Sequence, residues 1–300
     1  MNSNAIFVSE EVQAAVRENR PVVALESTIF THGLPRPRNL EVALEAEASL
    51  RAAGVTPATI GVYNGVPTVG LTTEQITELS QVDNMDKVSL RDLPVVSALG
   101  VHGGTTVAAT AFLAHHAGVK VFSTGGLGGV HHGASETFDE SADMTTLAQV
   151  PIVVISAGVK SILDVAATLE RFETLNIPVI GYGTTKYPGF YVSDSGFKVN
   201  YAVKNTDEAA KIINARDDLG LPQSVLLANP VAEDKQLPRK SSRTSWPAPG
   251  AKPKPRASAA TPAPRSCLTS SSATPRAAAW KSTSTFTAAT WPSAASSPLR

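Results

Sequence analysis

The sequence has one cysteine among its 300 residues, Cys267, so an intramolecular disulfide and a cysteine-based metal site are both excluded. It has no apolar run near the roughly 18 residues that a membrane-spanning helix needs. The first residues lack the basic segment and the long apolar stretch of a secretory signal. These absences predict a soluble, cytoplasmic protein.

Acidic residues are missing from the end of the chain. The last is Asp234, and residues 235–300 hold 11 lysines and arginines, so the formal charge is −11 before this point and +11 after it. The acidic first part does not favour nucleic-acid binding, which needs a clustered basic face. We interpret residues 239–300, which are rich in proline, serine, threonine and alanine, as a disordered tail that cannot bury a core.

Residues 1–238 have the patterning of one α/β domain. The chain is 42% hydrophobic, which is enough for a sizeable core. Short apolar runs alternate with segments of helical periodicity, and this alternation predicts a mostly parallel sheet with helices on both faces. Local signals add Asn39 as the cap of a helix over residues 40–53 and a hairpin turn at Asn64-Gly65.

One lysine lies just beyond a buried strand. The apolar, β-branched run Ile152–Ile155 predicts the strand, and apolar residues from Ile162 onward predict a helix after Lys160. Open α/β sheets bind ligands at the carboxyl ends of their strands. Desolvation there favours a neutral amine, the form that attacks a carbonyl. Lys160 is therefore a candidate nucleophile, and the alternative is a surface lysine at a strand end.

A carboxyl group ends another apolar strand. Val22–Leu25 predicts a buried strand, and Glu26 follows it directly. A buried carboxylate costs free energy unless it is paired or protonated, so Glu26 is a candidate general acid. The alternative is a strand-end glutamate that is hydrogen-bonded to the following loop.

Two glycine-rich segments indicate close approach of the backbone to a ligand. In residues 103–110, small and hydroxyl residues precede a helix, and such a helix start suits a phosphate. Residues 124–133 contain several glycines after a strand but lack the spacing of the dinucleotide-binding fingerprint. His131 and His132 at its end are candidate phosphate partners, metal ligands or plain loop residues.

Asp139 and Asp143 lie four residues apart around a predicted helix start. That spacing can bring two carboxylates together, where Mg²⁺ or Mn²⁺ would bind through oxygen and water. The alternative is simple capping of the helix by Asp139 or Ser141.

Nine strings, in order across roughly residues 8–234, resemble one family, the pseudouridine-5′-phosphate glycosidases, also called indigoidine synthase A-like proteins. They are VVALESTI, TPATIG, KVSLRDLP, GGTTVAAT, STGGLGGVHHGA, TFDESADM, SAGVKSILD, PVIGYGT and SGFKV. The resemblance implies a three-layer α/β/α fold, a homotrimer and a reversible cleavage of pseudouridine 5′-phosphate to uracil and ribose 5-phosphate.

The resemblance also implies residue roles. Lys160 would form a Schiff base with C1′ of the opened ribose, Glu26 would donate a proton for ring opening, and Asp139 would be the protein ligand of Mn²⁺ (or Mg²⁺), with no organic cofactor. The substrate contacts that it implies, the last three on the phosphate side, are Lys87, Val107, Ser141, Ala142, Asp143, Thr106, Thr124 and His131.

The chain departs from the family pattern at three places. His132 and Ser193 stand where the family usually has arginine, and after about Arg239 the expected helical region with its uracil-binding asparagine is not matched. We interpret the tail as the product of a frameshift near codon 240 that would impair activity; the alternative is a natural basic tail that binds acidic partners.

Two other functions stay open at this point. The same lysine chemistry could act on another phosphosugar or on a pigment-pathway substrate. Alternatively, residues 1–238 could be a non-catalytic ligand-binding domain that carries an interaction tail.

Overall fold

The computed structural model describes residues 5–236, and they form three layers, with helices on both faces of a central sheet. The three-layer α/β/α prediction is confirmed. The predicted tail, residues 239–300 with Cys267, lies outside the described residues.

Eleven strands build the sheet within residues 5–236. Their spatial order is β1-β4-β3-β2-β7-β8-β11-β9-β10, with β6 paired to β3 and β5 paired to β6. All pairs are parallel except β3 with β4 and β3 with β6. The strands are β1 (Phe7–Val8), β2 (Val22–Glu26), β3 (Thr56–Tyr63), β4 (Val66–Val69), β5 (Asp86–Val88), β6 (Gly103–Thr105), β7 (Val121–Ser123), β8 (Val153–Ser156), β9 (Val179–Tyr182), β10 (Tyr201–Val203) and β11 (Val225–Ala228).

The helices divide between the two faces. They are α1 (Glu10–Arg17), α2 (Arg38–Ala52), α3 (Thr73–Gln81), α4 (Leu93–Leu99), α5 (Val107–His116), α6 (Ala134–Thr137), α7 (Ala142–Leu147), α8 (Val165–Thr174) and α9 (Thr206–Asp218). Helices α2, α3 and α9 share one hydrophobic cluster with the sheet, and α1, α4, α5, α7 and α8 share the other. Short turns of π and 3₁₀ helix at Ile29–Gly33, Leu90–Asp92 and Glu233–Lys235 complete the elements.

The strands explain why both faces are covered. Successive residues of a strand point to opposite faces, and in β2 Val22 and Ala24 join one cluster while Val23 and Leu25 join the other. A strand that is apolar on both faces is stable only between two layers of helices. The continuous apolar runs of the sequence therefore lead to the three-layer arrangement.

Local predictions fared differently. The hairpin at Asn64-Gly65 is confirmed, since both residues have positive φ and connect the antiparallel strands β3 and β4. Asn39 is not a helix cap, because α2 begins at Arg38 and the buried Asn39 amide donates to the carbonyls of Phe30 and Ser80 instead. Ile162 is not in a helix either: α8 begins only at Val165, and Ile162 is 67% exposed in the preceding turn.

No helix within residues 5–236 is long and apolar enough to cross a membrane.

Candidate active site

The carboxyl ends of three neighbouring parallel strands meet at one edge of the sheet. Leu25 of β2 pairs with Ser123 of β7, which pairs with Ile155 of β8. The residues that follow them, Glu26, Thr124 and Ser156, therefore lie next to one another. This is the edge where an open α/β sheet binds its ligand.

Glu26 is buried at this edge and fully held by hydroxyl groups. It is 3% exposed, Thr28 Oγ1 donates to Glu26 Oε2, and Thr124 Oγ1 donates to Glu26 Oε1. The bond from Thr28 agrees with the alternative in which Glu26 is hydrogen-bonded to the loop that follows it. The bond from Thr124, in contrast, comes from the end of the neighbouring strand β7. Hydroxyl partners can turn from donor to acceptor, so this pairing suits a carboxyl group that exchanges a proton.

A second group of hydroxyls connects Ser27, the residue after Glu26, to β6 and the start of α5. The backbone N–H of Thr105 donates to Ser27 Oγ at 2.8 Å, and Thr105 Oγ1 donates to the carbonyl of Ile60 at 2.7 Å. Thr110 Oγ1 in turn donates to Thr105 Oγ1 at 2.9 Å. All these hydroxyls are buried, so β6 and the start of α5 are held rigidly against the end of β2.

β-Pairing places the strand of Lys87 beside the segment that leads through Thr106 into α5. Lys87 on β5 is exposed and pairs with Gly104 on β6, and the N–H of Thr106 donates to the carbonyl of Val88 at 2.9 Å. Thr106 precedes the first turn of α5, and its buried Oγ1 has no hydrogen-bond partner in the described part of the chain. A cationic side chain next to a helix N-terminus with a spare hydroxyl is an arrangement that favours an anion.

Asp143 fastens the glycine-rich segment to α5. Its Oδ1 accepts the N–H of Ala108 at 2.9 Å and its Oδ2 accepts the N–H of Gly128 at 2.8 Å. The side chain is 5% exposed. Ser141 caps α7 by accepting the N–H of Asp143, as the capping alternative predicted, and Ala142 is exposed as the first residue of that helix. Both oxygens of Asp143 are thus bound to backbone groups.

Lys160 lies in the turn between β8 and α8 and is half-buried. Its N–H donates to the carbonyl of Leu127 at 3.0 Å, so the turn is paired with the glycine-rich segment. Two residues earlier, Gly158 has a φ of +95°, and a Cβ there would lie 2.4 Å from the carbonyl oxygen of Pro188. Tyr187, whose pKa burial raises, is hydrogen-bonded to the backbone of Val159. The backbone on either side of Lys160 is therefore firmly placed.

The end of the glycine-rich segment and the residues after it lie at the surface and carry His131, His132 and Asp139. His131 Nδ1 is 3.8 Å from Asp139 Oδ2, and His132 Nδ1 is 3.7 Å from Asp164 Oδ2, so the two histidines face different carboxylates. The Asp139 side chain is 63% exposed, whereas Asp143 is buried and bound to backbone. The two aspartates consequently do not form a shared carboxylate pair, because α7 begins at Ala142 and turns the side chain of Asp143 inward, away from the exposed Asp139.

Within residues 5–236 no group of three or more histidine, aspartate or glutamate side chains could enclose a metal ion. A single exposed carboxylate still fits a hard divalent cation that keeps most of its water ligands. Asp139 therefore suits an ion held through water, and no closed cage of side chains surrounds it in the part of the chain that the structure describes.

Sequence reasoning missed Ser27 and Thr28, and it did not foresee that Thr105, part of the predicted phosphate-binding helix start, is bonded to Ser27. Only the succession Glu26-Ser27-Thr28 after an apolar strand could have indicated them, because their partners lie far away in the chain. It also missed His32, whose ring bonds to Thr31 and to the carbonyl of Met85, next to β5. Burial, assisted by the nearby charge of Lys87, lowers the pKa of His32.

Comparison with known proteins adds the family. The model of the indigoidine synthase A like protein family matches residues 11–246. The pseudouridine-5′-phosphate glycosidase of Saccharopolyspora erythraea is 63% identical over 230 residues, which are 77% of this chain and 76% of the relative. The enzyme of the same name from Frankia alni is 53% identical over 232 residues, 77% of this chain and 64% of the relative.

Two solved structures are similar as well. The prealnumycin C-glycosynthase AlnA, in complex with ribulose 5-phosphate, is 37% identical with a TM-score of 0.74, over 79% of this chain and 77% of the other. An indigoidine synthase A-like protein of Thermotoga maritima is 28% identical with a TM-score of 0.77, over 96% of each chain. The chain therefore belongs to the indigoidine synthase A-like family, a family of enzymes that cleave or form C-glycosides.

Proposed function

We propose that the protein reversibly cleaves the C–C glycosidic bond of pseudouridine 5′-phosphate to uracil and ribose 5-phosphate through a Schiff base on Lys160. The observation that carries this proposal is the 63% identity to a pseudouridine-5′-phosphate glycosidase over 230 residues. The match to the family model, over residues 11–246, includes every candidate site residue. The positions of Glu26 at the end of β2 and of Lys160 after β8, at the same edge of the sheet with only β7 between the two strands, support it.

The chemistry explains why a lysine is needed. A C–C glycosidic bond has no basic leaving oxygen, so the two-carboxylate route of ordinary glycosidases has little to protonate. The Lys160 amine bonds to C1′ as the bond from C1′ to the ring oxygen breaks. The bond from C1′ to uracil then breaks: its electron pair stays on the uracil carbon, which takes a proton, and the nitrogen lone pair forms the imine at C1′. Water hydrolyses this imine to release ribose 5-phosphate and free Lys160. In this scheme Glu26 supplies the proton that the ring oxygen takes as the ring opens.

The phosphate and sugar contacts follow from placement. Lys87 and the start of α5, with Thr106 and Val107, would bind the phosphate, since the helix N-terminus and the ammonium both favour an anion. His131 would join them from the glycine-rich segment, while Ser141 and Ala142 would contact the substrate at the start of α7. Asp143 would shape this wall by binding the N–H groups of Ala108 and Gly128.

Asp139 would hold a Mn²⁺ or Mg²⁺ ion. Bound there, the ion would supply a positively charged network of ordered water that orients the sugar or the base. Titration with Mn²⁺ followed by electron paramagnetic resonance tests this, and an Asp139→Ala variant that binds Mn²⁺ as well as the wild type would exclude it.

The assembly we propose is the homotrimer implied by the family resemblance. Sedimentation equilibrium would then give three times the 31.3 kDa mass of one chain, and a monomer would contradict it. The cytoplasmic location stays a prediction from the sequence.

Covalent trapping tests the central step. The protein is incubated with ribose 5-phosphate, Mn²⁺ and borohydride, and its intact mass is measured. We expect one reduced pentose phosphate per chain in the wild type and none in Lys160→Ala, because only Lys160 forms the imine. Lys120→Ala, which removes an exposed lysine just before β7 at the opposite edge of the sheet, is the matched control and should keep the adduct.

An adduct that persists in Lys160→Ala, or one that is absent from all three proteins, would contradict the proposed function.

A second candidate is the formation of a C-glycoside on another acceptor. The similarity to a C-glycosynthase structure with a bound ketose phosphate favours it. Both candidates use the Lys160 imine, so trapping does not separate them. Product formation from ribose 5-phosphate that requires uracil supports the first, and turnover of another carbon nucleophile without uracil supports the second.

A further inference from the structure

The Glu26 carboxyl group is held at two points from two different chain segments. Thr28 lies two residues after Glu26, just beyond the end of β2, whereas Thr124 lies 98 residues away, directly after β7. Thr124 is 0% exposed, and Thr28 is buried as well. Each hydroxyl reaches one of the two carboxyl oxygens, so the pair fixes both the position and the plane of the group.

The hydroxyl of Thr124 is already engaged. A hydroxyl has one proton to donate, and Thr124 Oγ1 gives it to Glu26 Oε1. The backbone N–H of Thr124 is used too, because it donates to the carbonyl of Ile155 at 2.9 Å. While these bonds last, Thr124 has no donor left for a phosphate, although the family resemblance puts it on the phosphate side.

We propose that Thr124, assisted by Thr28, is a positioning residue that aims the Glu26 carboxyl at the ring oxygen of the sugar. This inference rests on the proposed function, since it needs Glu26 to be the proton donor. A carboxyl oxygen can accept a second hydrogen bond, so both Glu26 oxygens keep an acceptor site toward the crevice. The threonines hold the group without occupying the substrate's place.

The step that Thr124 assists is the opening of the ring. The bond between C1 of ribose 5-phosphate and the ring oxygen breaks, and its electron pair stays on that oxygen, which takes the proton of Glu26. The proton of the C1 hydroxyl leaves as the carbonyl forms and returns to Glu26 through solvent. A misaligned carboxyl slows this transfer without weakening the binding of the phosphate.

Kinetics of borohydride trapping separate positioning from binding. We expect Thr124→Val, which keeps the shape and removes the hydroxyl, to lower the saturated rate of adduct formation by about ten- to a hundredfold. The half-saturating concentration of ribose 5-phosphate and the inhibition by inorganic phosphate should stay as in the wild type. Thr124→Ser restores the donor and should recover most of the rate, and Thr28→Val should show a smaller loss of the same kind.

Thr59→Val is the matched control. Thr59 is a buried threonine on β3 whose hydroxyl donates to the buried carboxyl of Glu47, outside the candidate site. Thr59→Val removes a threonine–carboxyl hydrogen bond of the same kind from the fold but leaves the candidate site intact. The trapping rate of this variant should therefore equal that of the wild type.

Three results of the trapping kinetics would overturn the inference. In the first, Thr124→Val keeps the saturated rate of adduct formation but needs a higher half-saturating concentration of ribose 5-phosphate and is inhibited less by inorganic phosphate. Thr124 would then be a phosphate ligand. Another is a Thr124→Ser variant as slow as Thr124→Val, and the third is a loss of rate in Thr59→Val of the same size.

Crystal structures of the wild type and Thr124→Val give a readout that does not depend on activity. The Glu26 carboxyl should take one orientation in the wild type and several in the variant, and an unchanged single orientation would overturn the inference. If the wild type shows no adduct while Glu26 loses its orientation in the variant, the proposed function fails and the positioning contact stands. Should Thr124→Val fail to fold, Thr28→Val and Thr124→Ser carry the same comparison.

Discussion

Glu26 and Asp143 are both buried carboxyl groups, yet they receive different donors. Asp143 accepts two backbone N–H groups, which cannot change direction once the fold is formed. Glu26 accepts two hydroxyls, which can rotate and accept a hydrogen bond in their turn. We infer that Asp143 serves the backbone around the site, whereas Glu26 is equipped to exchange a proton.

Glu47 is a buried carboxyl group that the sequence did not indicate. It lies on α2, is 7% exposed and accepts a hydrogen bond from Thr59. Desolvation by burial raises its pKa above the ordinary value of 4.5, although the Thr59 bond and the charge of Arg51 act against this rise. In the sequence, the helical pattern of α2 marks only the apolar positions as buried, so every glutamate of this helix is expected to face solvent. The pattern therefore does not show that Glu47 lies on the buried side.

The titration of Glu47 predicts a pH dependence of stability. Since its pKa is higher in the folded than in the unfolded chain, its favourable contribution is complete below pH 4.5 and is lost as the pH rises through the folded value. Each unit of difference amounts to about 1.4 kcal/mol. Relative to the wild type, Glu47→Gln should therefore gain free energy of unfolding as the pH rises from 4.5, measured by urea titration.

Glu136→Gln is the matched control, because Glu136 is exposed on α6. Its free energy of unfolding should follow that of the wild type at every pH. Parallel curves for Glu47→Gln and Glu136→Gln would mean that Glu47 does not titrate differently in the folded state.

At the scale of elements, the site depends on how α5, the glycine-rich segment and the Lys160 turn are fastened together. Asp143 joins the first turn of α5 to Gly128, and Leu127 receives the N–H of Lys160. The glycine-rich segment is thus held from both sides. Changes in Asp143 should therefore reach the whole edge of the sheet.

We expect Asp143→Ala to destabilise the fold by about 2–5 kcal/mol. It leaves the buried N–H groups of Ala108 and Gly128 without an acceptor, and each buried unsatisfied donor costs about 1–3 kcal/mol. Urea titration measures the loss.

Asp139→Ala provides the comparison on the same segment. Because its side chain is exposed, its free energy of unfolding should change by no more than about 0.5 kcal/mol. Equal stabilities of the two variants would show that Asp143 does not hold these elements together.

Boundaries of elements were the weakest part of the sequence-based description. The turn from Lys160 to Asp164 is held by Leu127 and Val130 rather than by a helix, so apolar Ile162 and Leu163 do not extend α8. In the same way Asn39 does not cap α2, because its side-chain amide donates to the carbonyls of Phe30 and Ser80 instead. In both cases tertiary hydrogen bonds override a local preference.

For the whole molecule, the three layers close within residues 5–236. The core residues of the clusters run from Val12 to Val231, and every candidate site residue lies between them. We therefore propose that residues 1–238 fold as one unit.

A chain that ends at Pro238 tests this unit. It should unfold in one cooperative transition at the urea concentration of the full chain, because the apolar contacts of the described core are retained. It should also form the same adduct with ribose 5-phosphate, as measured by intact mass. A truncated chain that is unfolded or aggregated, beside a folded full-length control, would show that the later residues belong to the folding unit.

The sequence by itself determined the kinds of elements, the layering and the family. Apolar runs such as Val22–Leu25 require cover on both faces, and the nine matching strings lie in family order, so both conclusions follow from residues that are neighbours in the chain.

Only the tertiary structure decided which strand ends become neighbours and which polar groups meet there. Placing β7 beside β2 brings Thr124 to Glu26 across 98 residues, and placing α7 against α5 turns Asp143 away from Asp139. The physical reason is that parallel pairing depends on how whole layers pack, and no local periodicity specifies the partner of a strand.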